Sequence, residues 1–297
     1  MRITNKMIAM NMLAAVGRNR ELQAKLQLDI ATSRKLRRPS DDPAGLVKME
    51  RLKTLASKNE QYVKNLTFLN DSMNASSSAL EGVLASLEQA KDIAIQGASD
   101  TLNAVARQTL ATQVDQLIGA VLDDANAKHR GRYLFAGTLT QGTAPFDRTG
   151  DVITYNGNNK AMKGIIGFDA EVNYNKTGNE VFNPAGGVDI FATLIALKQG
   201  LENNDTSAIQ GTLDSLNGAL EQVLAVSSEF GGLQNRLSST ELFLENENIN
   251  FASSISRIQD TDMIEALVTS QIIDNAITAG LRTMADMIQV SLVDFIS

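Results

Sequence analysis

The chain has 297 residues, 43% of them apolar, a net charge of −7 and no cysteine. That apolar content excludes global disorder, and the lack of Cys excludes disulfides and thiolate metal sites. No apolar run approaches the roughly 20 residues that a membrane-spanning helix needs.

Aromatic residues make up only 5% of the chain and Trp is absent, a composition that suits long packed helices better than a pocketed enzyme interior. The charge is unevenly placed. Residues 1–53 hold twelve Lys or Arg against five acids, a net +7, whereas residues 259–297 hold six acids and only Arg282, a net −5. Such opposite ends can steer toward each other, although exposed pairs are worth under about 1 kcal/mol each.

The first segment predicts a helix with more than one apolar face. Ile8, Met12, Leu22 and Leu26 share one spacing, and Met7, Met10, Leu13 and Val16 widen the surface. Asn11 interrupts the apolar run and no small-residue cleavage site follows, so a secretory signal peptide is not expected. Next come the basic residues Arg34, Lys35, Arg37 and Arg38, with no interleaved aromatics, a pattern expected of a solvated or subunit-contacting loop rather than a nucleic-acid site. Asp41 and Asp42 precede Pro43 and a helical run, where the free amides of a helix N-terminus need an acceptor.

From Leu52 a heptad count lands on Leu55, Asn59, Tyr62, Leu66, Leu69, Met73, Ser76, Leu80, Val83, Leu87, Ala90 and Ala94. So sustained a spacing predicts one long helix packed in coiled-coil fashion. A cap and turn over residues 97–103 should separate it from a second helix through Leu110, Val114, Leu117 and Val121, ending near Lys128, and the two should form an antiparallel hairpin. The paired acids Asp123 and Asp124 read as caps or solvated charge. His129, the only histidine, stands at this expected helix end, where a cation suits the helix dipole and catalysis is not expected.

Residues 132–190 differ in kind, with seven of the fourteen aromatics and many glycines. Val152 to Tyr155 and Ala161 to Ile166 flank Asn156-Gly157-Asn158-Asn159, a pattern that predicts a hairpin within a small β-rich insert. Beyond it, heptad spacing runs from Ile209 through Leu213, Leu216, Leu220 and Val223 to Phe230, Leu237, Leu244, Phe251, Ile255 and Ile258. The phase slips near Asp260, and a new register takes Met263, Leu267, Ile277, Leu281, Met284, Ile288, Leu292 and Phe295, which marks a change of packing environment. No nucleotide, zinc-protease, hydrolase or calcium motif occurs, so no catalytic, cofactor or metal residue is assigned.

The segment from Thr32 to Gly45, with Pro39, Ser40, Asp41, Asp42, Pro43, Ala44 and Gly45 at its core, closely resembles the bacterial flagellin-family signature S-G-K-R-I-x-x-P-S-D-D-P-A-G. Ser33 stands where that signature has Gly. The stretch from Leu87 to Gly97 is similar to the family's L-x-R-x-R-E-L-A-V-Q segment, with Gln89 where flagellins recognised by an innate immune receptor have Arg. The opening MRITNKM, the block Gly131, Arg132, Tyr133, Leu134, Phe135, Ala136 and Gly137, and the tail from Met287 to Ser297 resemble the branch of the family found where the hook meets the filament.

The resemblance implies a mainly α fold: a long antiparallel helical bundle or coiled coil from the N- and C-terminal regions, carrying a small β-rich inserted domain. It divides the chain into terminal helices of an inner-tube domain (1–45 with 259–297), a central helical bundle (46–131 with 191–258) and the insert (132–190). It implies a structural, non-enzymatic subunit of the extracellular flagellum, exported by flagellar type III secretion with the help of a cytoplasmic chaperone. The implied partners are further copies of itself, hook-associated protein 1 and flagellin, with no nucleic acid and no membrane insertion. A short flagellin forming the filament and, more distantly, a cytoplasmic coiled-coil scaffold or signalling protein are the other readings of the same residues. The terminal apolar residues named above, from Met7 to Leu26 and from Met263 to Phe295, are the expected assembly surface.

Overall fold

The computed structural model describes residues 2–296, with side chains from Met7 to Asp286. Seven helices and three two-stranded sheets follow in chain order among these residues: α1 (Arg2–Thr32), α2 (Pro43–Gly97), α3 (Ala104–Ala125), β1 (Lys128–His129), β2 (Arg132–Tyr133), β3 (Phe146–Thr149), β4 (Val152–Tyr155), β5 (Lys163–Gly167), β6 (Ala170–Asn173), α4 (Gly178–Phe182), α5 (Ile190–Glu202), α6 (Thr206–Gln259) and α7 (Met263–Ile296). Two compact units emerge, one of residues 1–57 with 247–297 and one of residues 58–246.

In the second unit the heptad count is the core. Leu66, Leu69, Met73, Leu80, Val83, Leu87, Ala90 and Ala94 of α2 are buried, together with Ile209, Leu216, Val223, Phe230, Leu237 and Leu244 of α6. α3 returns antiparallel along α2: a Cβ at Gly82 would strike the Asp124 side chain, while Arg107 at the other end of α3 donates to the Gly97 carbonyl. Ile118 is fully buried and Leu117 only half-buried, so the α3 stripe runs Leu110, Val114, Ile118, Val121 and Ala125. Asp123 and Asp124 do not cap: they lie in the last turn of α3, where burial and the neighbouring Asp123 raise the Asp124 carboxyl above its ordinary value. The α6 seam thins after Val226, and a polar layer takes part of it, Gln234 Nε2 donating to Asn74 Oδ1 at 2.8 Å.

Arg107 is 4% exposed, and among the described residues it forms no ion pair. Its guanidinium donates to the carbonyls of Gly97 (2.8 Å) and Ser99 (2.7 Å) and to the Asn204 side chain. One planar fork thus joins the end of α2, the start of α3 and the α5–α6 turn, and it satisfies carbonyls that a helix C-terminus leaves without partners. Asn103 caps α3, accepting from Ala106 N at 2.8 Å.

The inserted segment corrects two expectations. No hairpin forms across residues 156–159. β4 pairs backward with β3, Thr149 opposite Val152, through a tight turn with Gly150 at φ +63°. The Asn158 side chain instead holds Thr138, accepting from its amide (3.0 Å) and donating to its hydroxyl (2.8 Å). His129 is likewise not at a helix end: it lies in β1, half-buried, in a two-residue hairpin whose central residues Arg130 (φ +50°) and Gly131 (φ +78°) both take the left-handed conformation of a type I′ turn. β5 and β6 form the third antiparallel pair. The rings of Phe135, Phe146, Phe182 and Phe191 lie 5.0–5.6 Å apart and knit the 131–137 block to β3, α4 and α5.

An ion network holds the β3–β4 turn to α3 and α5. Lys198 lies 2.7 Å from Asp151 and 3.2 Å from Asp115, and Asp115 also pairs with Arg148. The Arg148 hydrogen bond holds Asp115, and the Lys198 hydrogen bond holds Asp151, below the ordinary 3.8, while Asp151 raises Lys198 above 10.5. Depressed carboxylates stabilise above their unfolded value and lose that contribution as pH falls through the folded one. A raised lysine stabilises below its unfolded value and loses it as pH rises through the folded one. Docking of this turn is therefore expected to hold between about pH 5 and pH 9 and to weaken at both extremes, with amide exchange at Asp151 and Val152 as the measurement. Lys198→Met should accelerate that exchange at neutral pH.

Candidate assembly interface

In the first unit α1 and α7 pack antiparallel. Val16 lies where a Cβ on Gly280 would come within 3.1 Å, Gln23 reaches Asp274, and Thr261 N donates to Ser33 O at 3.1 Å. Among the α1 residues drawn inward, Ala9, Met12, Val16, Asn19, Gln23, Leu26 and Ile30 follow an unbroken alternation of three and four, with Ala15 and buried Asp29 beside them. Their counterparts on α7 are Ala266, Ser270, Ile273, Ile277, Gly280 and Met284, on the same alternation. Half of the α7 seam is Ala, Ser or Gly, so the pairing uses small residues and leaves larger apolar side chains outside it.

Those outside are many. Met7, Ile8, Met10, Leu13, Leu22 and Leu28 of α1 are exposed, as are Met263, Ile264, Leu267, Val268, Ile272 and Leu281 of α7. At 100° per residue, Ile264, Val268 and Ile272 form a stripe on the side of α7 opposite Ile273 and Gly280. Ile264 is 78% exposed and Ile272 61%, against 7% for Ile273.

The expected assembly residues therefore separate into groups. Met7, Ile8, Leu13, Leu22, Met263, Leu267 and Leu281 are exposed. Met12, Leu26, Ile277 and Met284 are half-buried in the α1–α7 seam, and Val16 is buried in it. Ile288, Leu292 and Phe295 fall within the α7 backbone, but their side chains lie outside the described residues. Met10, named in the sequence as widening the first helix's apolar surface, is exposed, and Leu28, Ile264, Val268 and Ile272 are exposed residues that heptad counting did not assign, because a single-seam count passes over a second face.

The signature loop closes this unit. α1 ends in a Schellman motif: Ser33 N donates to Ile30 O (3.3 Å) and Arg34 N to Asp29 O (3.2 Å), with Ser33 at φ +55°. The left-handed conformation is why the family signature has Gly there. Ser33→Gly is expected to stabilise this unit by about 0.5–1 kcal/mol, measurable as slower amide exchange at Arg34 and Lys35. Lys35 N (2.8 Å) and Leu36 N (3.3 Å) then donate to Gln259 O, and Arg34 bridges Asp260, so the first loop is clamped to the α6–α7 junction.

Asp41 and Asp42 divide the remaining work. The amides of Arg38 (2.9 Å) and Arg37 (3.1 Å) donate to Asp41 and hold its carboxyl below the ordinary range, while Asp42 caps α2 by accepting from Gly45 N at 2.9 Å. Pro39, Ser40, Pro43 and Ala44 are exposed along this turn, and a Cβ at Gly45 would collide with the Asp42 carboxylate. Of the basic cluster, Arg37 pairs with buried Asp29 at 2.8 Å, Lys35 donates to Arg257 O at 3.0 Å, and Arg34 faces the buried Gln259 amide. Among the described residues no ion pair joins the cationic 1–53 segment to the acidic 259–286 segment; beside the apolar seam, their polar contacts are backbone hydrogen bonds, Gln23 to Asp274 and Arg34 to the Gln259 amide.

The 131–137 block is structural in the second unit. Gly131 turns the hairpin, Arg132 and Tyr133 form β2, and Leu134, Phe135 and Ala136 are buried. Gly137 at φ +67° lies against the Asn158 backbone, too close for any Cβ.

The bacterial flagellin N-terminal helical region matches residues 3–140, and the bacterial flagellin C-terminal helical region matches residues 213–296. Flagellar hook-associated protein 3 of Salmonella typhimurium is 25% identical to this chain, the alignment covering 98% of each. Flagellin of Halalkalibacterium halodurans is 22% identical over 90% of this chain and 88% of its own. Among solved structures, flagellar hook-associated protein-3 of Legionella pneumophila superposes with a TM-score of 0.63 at 18% identity, covering 70% of this chain and 98% of its own.

Proposed function

The chain belongs to the bacterial flagellin family, and from that membership we propose that it is the structural subunit joining hook to filament, in the place held by hook-associated protein 3. The observation that carries this reading is the apolar surface of α1 and α7 that the small-residue seam leaves exposed. Such a surface on paired terminal helices gains shelter from neighbouring copies. Near-complete coverage of a relative named hook-associated protein 3 favours the junction over the filament.

On this reading residues 1–45 with 259–297 line the inner tube, 46–131 with 191–258 form the next shell, and 132–190 face outward. Hook-associated protein 1 lies on one side and flagellin on the other. Export proceeds through the flagellar type III apparatus with a cytoplasmic chaperone, and the role is structural rather than enzymatic. Deleting the gene is expected to release flagellin monomers into the medium while hooks remain. A strain lacking filament and releasing no flagellin would instead identify the chain as a short flagellin, the reading its likeness to a flagellin also supports. Retention in the cytoplasm would favour a scaffold.

A further inference from the structure

The chain has ten methionines and no cysteine, so the only sulfur on which an oxidant can act is thioether sulfur. Access to it is sharply divided. Met49 is 4% exposed and Met73 fully buried, whereas Met7 is 54% exposed and Met10 57%, the most open of the described methionines. At 100° per residue Met7 lies on the side of α1 opposite Val16, which is buried in the α1–α7 seam, and Met10 neighbours it about 60° away.

That placement decides what oxidation does. In the free subunit a sulfoxide at Met7 or Met10 stays in water and leaves the seam and its packing untouched. Flanked by exposed Ile8 and Leu13, the two residues belong to the surface that neighbouring copies cover in an assembled tube. A thioether is apolar and adaptable there, but a sulfoxide oxygen brought into the same contact loses its water and costs free energy unless it finds a donor.

We infer that Met7 and Met10 form an oxidant-sensitive switch on assembly: peroxide converts them to sulfoxides and excludes the subunit from the growing tube. The inference rests on the assembly reading given above. With hydrogen peroxide, the thioether sulfur attacks one peroxide oxygen and the O–O bond breaks. The transferred oxygen gives up its proton to the departing one, which leaves as water, so the thioether is oxidised as the peroxide is reduced. Reduction of the sulfoxide restores the apolar side chain. Subunits already in place are shielded, because the neighbour that covers these residues also keeps the oxidant away.

Full-length monomer would be treated with hydrogen peroxide, and peptide mass spectrometry would follow oxygen addition at Met7, Met10, Met49 and Met73. Sulfoxide is expected first at Met7 and Met10, with the thermal transition of the monomer unchanged. Addition to hooks isolated from the deletion strain, read by pelleting, should weaken by about tenfold or more. The two methionine sulfoxide reductases, one for each epimer, should restore it. Met7→Leu combined with Met10→Leu should add as the wild type does and continue to add after peroxide, since leucine fills a similar volume without sulfur. Once subunits are assembled, both methionines should oxidise more slowly by about tenfold or more. Equal addition by oxidised and untreated wild type, or loss of addition by the leucine variant after peroxide, would overturn the switch and leave the assembly reading standing. Untreated protein that never added to hooks would remove the assembly reading, and the switch with it.

Discussion

Replacing Ile264 and Ile272 together by glutamate should leave the monomer folded and abolish its incorporation into flagella. Both side chains are more than half exposed and lie opposite the α1–α7 seam, so circular dichroism and the thermal transition of the monomer should not change. In an assembled tube each Ile would be covered, and burying one is worth about 2 kcal/mol. Losing two costs about 4 kcal/mol, close to a thousandfold in the subunit-addition constant, before the desolvation of two new carboxylates is added. Motility of a complemented deletion strain and pelleting of polymer are the measurements. Ile273→Ala provides the contrast: it is buried in the intrachain seam, and its loss should destabilise the α1–α7 pair by about 2–4 kcal/mol. If the Glu variant assembled normally while the Ala variant behaved as described, the outward stripe would have no part in polymerisation.

Arg107→Ala should cause a large loss of stability in the second unit. It removes three charge-assisted hydrogen bonds and leaves the Gly97 and Ser99 carbonyls without their donors at a buried junction of helix ends. Hydrogen bonds to charged groups contribute about 1.5–3 kcal/mol each, and the losses at one site are not additive, so the expected cost is about 3–5 kcal/mol. Arg107→Lys should recover less than half, because an ammonium cannot reproduce the planar fork that serves three elements at once. Urea denaturation gives the comparison directly. A loss under about 1 kcal/mol for Arg107→Ala would show that water replaces the guanidinium there.

The long central helices were legible in the sequence because their periodicity reports directly on burial. Positions Leu66 to Ala94 counted as a seam are buried, and the interruption over residues 97–103 is the α2–α3 turn with its Asn103 cap. The terminal helices were legible as helices but not in their phase. Counting large apolar residues placed the α1 seam on Ile8, Met12, Leu22 and Leu26, whereas the structure runs it through Ala9, Met12, Val16, Asn19, Gln23 and Leu26. Hydrophobicity finds where water is unwelcome, and it cannot separate a face covered within the chain from one kept for a neighbour.

Residue order alone determined that this chain makes long paired helices and that its two ends carry more apolar surface than one seam can cover. Local rules suffice for that, since capping, proline placement and periodicity act within a few turns. Which surface remained outward and the placing of Arg107 and Gln259 depended on segments tens to hundreds of residues apart. Gln259 receives Lys35 and Leu36, and Arg107 reaches Asn204, because close packing brings those groups within about 3 Å. Hydrogen bonds of that reach are chosen by tertiary proximity, which neighbouring residues along the chain do not encode.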